Sequence, residues 1–72
     1  MDYTEIKFDV RDDGIATMTL HRPERLNSFS RKMFDEWKDV VARCAFDEKI
    51  RVLVVTGEGR AFSSGVDLTV LG

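Results

Sequence analysis

The stretch Ile50–Thr56, IRVLVVT, decides the fold. It is short, nearly continuous in apolar and β-branched residues, and interrupted only by Arg51, as a strand covered on both faces of a parallel sheet requires. Asp47-Glu48-Lys49 makes a polar break before it, and the glycine-containing loop TGEGRAFSSGVDL follows it. Working back along the chain, Met33, Phe34, Trp37, Val40, Val41 and Cys44 recur at steps of three and four, an amphipathic helix of about four turns. Ser30 stands where an N-cap belongs, and Phe29 and Phe34 occupy the N′ and N4 positions of a hydrophobic staple. The apolar stripe reads as core packing, so Trp37 is not taken as a ligand-stacking residue.

Ahead of the helix, Ile6, Phe8 and Val10 alternate with Lys7, Asp9 and Arg11, the period-two pattern of a half-buried strand. Asp12-Asp13-Gly14 then predicts a hairpin turn into a second strand, Ile15–Leu20, both faces of which are strand-compatible. Pro23 ends that strand because it has no N–H for a ladder. A strand, a helix and a buried strand make a right-handed βαβ unit, with Ile15–Leu20 and Ile50–Thr56 parallel. The order is β-β-α-β, an α/β class, with the loop after the last strand at the sheet edge where such folds bind ligands.

Length and composition narrow the function. Seventy-two residues make one small domain at most, and a chain of this size buries only about 60% of its unfolded surface. A single cysteine, Cys44, excludes an internal disulfide, and one cysteine with one histidine gives no framework for a closed zinc site. A partner chain, or further polypeptide, is the expected supplement. The apolar fraction of 43% is that of a globular protein, and a net charge of −2 with interspersed signs offers no basic face for nucleic acid. No apolar run approaches the ~20 residues needed to span a membrane. The start, MDYTEIKFDV, resembles neither a secretory signal nor a transit peptide. These features predict a cytoplasmic protein, with Cys44 as a small buried hydrophobe.

Three chemistries can be tested on the loop 56–68. A dinucleotide fingerprint fails because Phe62 stands where the third glycine is needed after Gly57 and Gly59. A phosphate-binding P-loop fails for want of a lysine, and a serine-nucleophile elbow has Ala61 for its first glycine and no base nearby. What remains is backbone: Ser63, Ser64 and Gly65 let main-chain N–H groups approach a ligand, and those near Val66 become unpaired donors if Asp67 caps a following helix. Such fixed donors suit an oxyanion. Gly57, Gly59 and Gly65 serve equally well as plain turn residues on spacing alone. In the connection LHRPERLNSFS, Arg22 and Arg25, with Arg60, offer cations for phosphate, although surface arginines more often only solvate. His21 reads as a strand-end residue without an identifiable partner, and none of Glu5, Glu24, Glu36, Glu48 and Glu58 sits in an apolar context.

Taken together, two segments carry a resemblance. ATMTLHRPERLNSFS resembles the opening of the enoyl-CoA hydratase/isomerase (crotonase) family, a strand leading through an Asn-Arg-Pro-Glu-Lys-Leu-Asn-Ala-like turn into a helix. RVLVVTGEGRAFSSGVDL resembles the family's second signature, a buried strand, Thr-Gly, a small loop, Phe and then Ala-Gly-Ala-Asp-Leu. Both occur in order and at the right separation, over nearly all of residues 3–71. The resemblance implies that residues 1–72 are the N-terminal, incomplete portion of a crotonase-like ββα spiral. It implies an acyl-CoA thioester substrate whose oxygen becomes enolate-like and is held by two backbone N–H groups, the first from Val66. By position, Ser64, Asp67 and Leu68 with Val66, and Arg25 and Leu26 in the earlier turn, border the CoA moiety, while Asn27 is a structural residue of that turn. No metal and no cofactor beyond the CoA of the substrate are implied, and the family's trimers or hexamers imply a homo-oligomer. His21, Ser28 and Ser63-Ser64 depart from the usual Asn, Ala and small apolar residues. The second oxyanion donor and the acidic catalytic groups of the family lie in later turns of the spiral. The 72 residues alone are therefore expected to be inactive, and the competing expectation is a non-catalytic module that binds CoA or inserts into oligomers.

Overall fold

The computed structural model describes residues 3–60, 62 and 63. Strand β1 (Ile6–Val10) and strand β2 (Ile15–Leu20) form an antiparallel hairpin, with Ile6 opposite Leu20 and Val10 opposite Ala16. Helix α1 (Arg31–Phe46) crosses to strand β3 (Val52–Gly57), which lies parallel to β2 from Ile15↔Val52 to Leu20↔Gly57. The sheet order is β1-β2-β3. The β-β-α-β order and the parallel crossover thus stand as the sequence predicts.

Gly14 shapes the hairpin. Its N–H donates to Arg11 O at 3.1 Å, and a φ of +88° then turns the chain into β2. The same residue ties the hairpin to β3, since Gly14 O accepts from Arg51 N at 2.8 Å. A side chain there would place its Cβ 2.8 Å from Lys49 O. These bonds also correct the start of β3. Ile50 N is used by Asp47 O and Arg51 N by Gly14 O, so the ladder begins at Val52 rather than Ile50 and runs to Gly57.

Helix α1 starts where its cap dictates: Ser30 is extended and its Oγ accepts from Met33 N at 3.0 Å. The Phe29 and Phe34 rings meet with centroids 5.0 Å apart, and Phe29 also packs edge-on against Trp37 at 5.3 Å. The core consists of Ile6, Met18, Leu20, Met33 and Val40, all buried; burying each such side chain contributes about 1.5–3 kcal/mol. Tyr3, Phe8, Trp37, Cys44, Leu53 and Val55 close over it from the sides. Burial raises the Cys44 thiol pKa above its ordinary value.

Strand alternation sets which residues stay outside. Leu53 and Val55 share the helix-covered face with Ala16 and Met18, whereas Val52 and Val54 pair with Ile15 and Thr17 on the other. Val52 is 52% and Val54 44% exposed. Among the described residues, β3 is therefore covered on one face, by the one helix they supply, although its sequence suits burial on both. A continuous apolar run says that both faces are made for burial, not that these residues supply both covers.

Glu36 corrects a second expectation. It lies on the Met33–Val40 face of α1 and is 1% exposed. Its Oε1 accepts from the N–H groups of Thr4, Glu5 and Ile6 at 3.0, 3.0 and 2.9 Å, and its Oε2 from Thr4 Oγ1 at 3.2 Å. A carboxylate can be buried when its lone pairs are met in this way. One helical side chain thus secures the entry to β1.

Candidate functional site

Strands β2 and β3 end side by side, and Glu58 N donates to Leu20 O at 2.9 Å just beyond the last ladder pair. Two loops leave this edge, 21–28 and 58–63, and they close on each other. The first contains a 3-10 turn, Pro23–Arg25, whose proline presets the backbone. Leu26 and Asn27 follow with φ of +52° and +55°. Two consecutive left-handed L-residues cost about 1–2 kcal/mol each unless local bonds offset it, which asparagine does best.

Asn27 supplies those bonds. It is fully buried; its Oδ1 accepts from Arg22 N at 2.7 Å and its Nδ2 donates to Glu58 O at 2.8 Å. Its own carbonyl accepts from Ser63 Oγ at 2.9 Å. One side chain and one carbonyl therefore join the end of β2, the end of β3 and the loop that leads toward residue 64. The loops touch again at Gly59, whose φ is +87° and where a Cβ would lie 3.0 Å from that of Pro23.

Arg22 brackets the first loop. Its carbonyl accepts from Arg25 N at 2.9 Å and Asn27 N at 2.8 Å, and its Nη1 donates to Ser28 O at 2.5 Å. Its Nε lies 3.1 Å from Glu5 Oε1, an atom that also accepts from Ser30 Oγ at 2.7 Å. The Arg22 and Glu5 side chains are 12% and 21% exposed, so Arg22 is a structural clasp here rather than a cation held out to a ligand. Arg25 and Arg60, one on each loop, are exposed.

His21 has a partner, contrary to the reading of the sequence. Its Nδ1 meets Glu58 Oε2, and Lys7 Nζ lies 3.3 Å from the same oxygen. The hydrogen bond from His21, with help from Lys7, holds the Glu58 carboxyl below its ordinary range despite some desolvation. The pair lies 37 positions apart in sequence, so only the closed crossover brings it together.

Of the residues predicted to border a ligand, Arg25 sits exposed at the end of the 3-10 turn and Leu26 is half-buried in its left-handed position. Ser64, Val66, Asp67 and Leu68 lie outside the described residues, as does the proposed helix cap at Asp67. The arrangement sets a tight turn and a glycine loop against each other at the carboxyl edge of parallel strands, with Arg25 and Arg60 exposed. Among the described residues, no group of three or more His, Cys, Asp or Glu side chains could hold a metal ion. Sequence reasoning missed Arg22's bonds and Glu36. The signal for Glu36 was its place on the apolar helix face, between Met33 and Val40.

Comparison with known proteins matches residues 10–72 to a family described as enoyl-CoA hydratase/isomerase. A probable enoyl-CoA hydratase of Mycobacterium bovis is 47% identical over 53 residues, covering 74% of this chain and 19% of the relative. A 1,2-epoxyphenylacetyl-CoA isomerase of Escherichia coli is 44% identical over 57 residues, covering 79% of this chain and 22% of that protein. The crystal structure of an enoyl-CoA hydratase/isomerase from Mycobacterium paratuberculosis superposes with a TM-score of 0.88 at 42% identity, over 93% of this chain and 26% of its own. The 72 residues thus span about a fifth to a quarter of the length of these relatives, at their N-terminal part.

Proposed function

Because the chain belongs to the enoyl-CoA hydratase/isomerase family, we propose that it forms the N-terminal part of an enzyme that acts on acyl-CoA thioesters and holds the enolate-like thioester oxygen in a backbone oxyanion hole. The observation that carries this reading is the junction at Asn27, which locks the turn holding Arg25 and Leu26 to the loop that runs on toward Val66. In this reading the N–H of Val66 donates to the oxygen as charge develops on it, and a fixed donor stabilises that charge without reorganising at the moment of reaction. Arg25, Leu26, Ser64, Asp67 and Leu68 border the CoA moiety. The substrate brings the only coenzyme.

The second oxyanion donor and the acid–base groups are assigned to polypeptide outside these 72 residues, so the segment alone has no turnover. The enzyme is assigned to the cytoplasm and to a homo-oligomer. Val52 and Val54 on β3 and Phe46 at the helix end, which is 88% exposed, are apolar surface for further polypeptide or a partner subunit to cover. Among the described residues, no helix is long and apolar enough to cross a membrane.

The test is Val66→Pro against Val66→Ala in the full-length enzyme, with unchanged folding shown first. Proline removes the donor N–H and should cost about 10²–10³ in kcat, whereas alanine keeps it and should be far milder. Equal, small effects of the two would remove Val66 from the oxyanion hole. Absence of any acyl-CoA turnover in the full-length wild-type protein would overturn the reading as a whole.

A further inference from the structure

We propose that Glu5 is a positioning residue for the acyl-CoA-binding turn, acting through Arg22; this rests on the reading of Arg25 and Leu26 as CoA-bordering residues. The turn carries two successive left-handed side-chain-bearing residues, Leu26 and Asn27. Such a conformation persists only where its surroundings over-determine it. Arg22 is the surrounding group with most of the ties: its carbonyl holds Arg25 N and Asn27 N, its N–H is taken by Asn27 Oδ1, and its guanidinium holds Ser28 O.

The guanidinium is aimed by Glu5. Its Nε faces Glu5 Oε1 at 3.1 Å, and a planar fork held at one nitrogen fixes where its other nitrogens point. Glu5 in turn cannot drift. Its N–H donates to Glu36 Oε1, its carbonyl accepts from His21 N at 2.9 Å, and its carboxylate also accepts from Ser30 Oγ at the start of α1. The turn is thereby referenced to both the helix and the first strand. Without the carboxylate, the guanidinium loses one of the contacts that aim it, the bond to Ser28 O weakens, and the turn relaxes away from its left-handed geometry. The residues that would move are Arg25 and Leu26, which border the ligand rather than the reacting carbonyl.

Glu5→Ala in the full-length enzyme should therefore raise KM and the Kd for an acyl-CoA about fivefold while kcat changes less than about twofold, since only ground-state and transition-state binding alike are lost. Glu5→Gln keeps an oxygen for both donors and should recover most of the affinity. A residue with a merely structural role would lower the thermal midpoint without separating KM from kcat. Wild-type protein that binds no CoA overturns the functional reading itself. Wild-type binding with Glu5→Ala at the same KM overturns the positioning role alone. If Glu5→Ala does not fold, Glu5→Asp, which falls short of Arg22 by one methylene, carries the same test, and an unchanged KM in it is equally fatal.

Discussion

Replacing Glu36 is the most direct probe of how this fold is secured. The carboxylate lies almost fully buried under β1, and three of its four hydrogen bonds converge on Oε1. In Glu36→Ala the Ile6 N–H, which sits in a buried position, is left without an acceptor, at a cost of about 1–3 kcal/mol. The Thr4 and Glu5 amides are only partly buried and can turn to water, so each loses only a net contribution of about 1 kcal/mol. Adding the lost methylene burial, the total comes to about 4–6 kcal/mol, a large part of any single domain's stability. Glu36→Gln behaves differently. Its remaining oxygen can keep the three amide bonds, and its NH₂ replaces Oε2 opposite Thr4 Oγ1, whose oxygen can accept. Only the charge is lost, so Gln should cost about 1–2 kcal/mol. Urea denaturation of wild type and both variants, with hydrogen exchange read at the Ile6 amide, measures the difference. Alanine costing under about 1 kcal/mol, or glutamine costing as much as alanine, would refute the assignment of a three-amide clasp.

Two further outcomes follow from other parts of the structure. Gly14→Ala forces a left-handed side chain with its Cβ 2.8 Å from a backbone oxygen and should cost about 2–3 kcal/mol in denaturant unfolding; a loss under about 1 kcal/mol would mean the β2–β3 junction yields easily. Glu58 titrates below its ordinary value of 4.5, so its contribution to stability is fully present above that pH and is lost as the pH falls through the lower, folded-state value. The thermal midpoint of wild type should therefore exceed that of Glu58→Gln at neutral pH and converge with it in acid; a difference that persists unchanged into acid would remove the His21–Glu58 contact as its source.

Local signals in the sequence carried most of the fold. The strand-compatible run Ile15–Leu20 marked β2 end to end, Ser30 capped the helix it was expected to cap, and the staple phenylalanines meet. The start of β3 was not legible, because the N–H groups of Ile50 and Arg51 are claimed by Asp47 and Gly14, and the second of these claims is set by tertiary structure. The open face of β3 follows from the sequence, since a run suited to burial on both faces meets a single amphipathic helix among these residues. Pairings between distant residues were out of reach. Glu36 read as one of five glutamates without an apolar context and His21 as a strand-end residue without a partner, because their partners lie about 30 or more positions away. At the site, Arg25 and Leu26 lie in the turn that follows β2, and the part Arg22 plays there emerged only from the geometry.

The Asn27 junction also dictates an order of events. Asn27 meets Glu58 and Ser63 across 31 and 36 intervening steps of chain. Contacts of such separation form late, after the loop-closing entropy has been met by the parallel pairing of β2 with β3. On a ribosome, the hairpin and helix can emerge and dock while the first turn still lacks the Glu58 and Ser63 contacts that lock it. The turn gains its full set of bonds only once Ser63 has left the exit tunnel, so a translational pause before that point holds the nascent chain with its sheet edge unfinished.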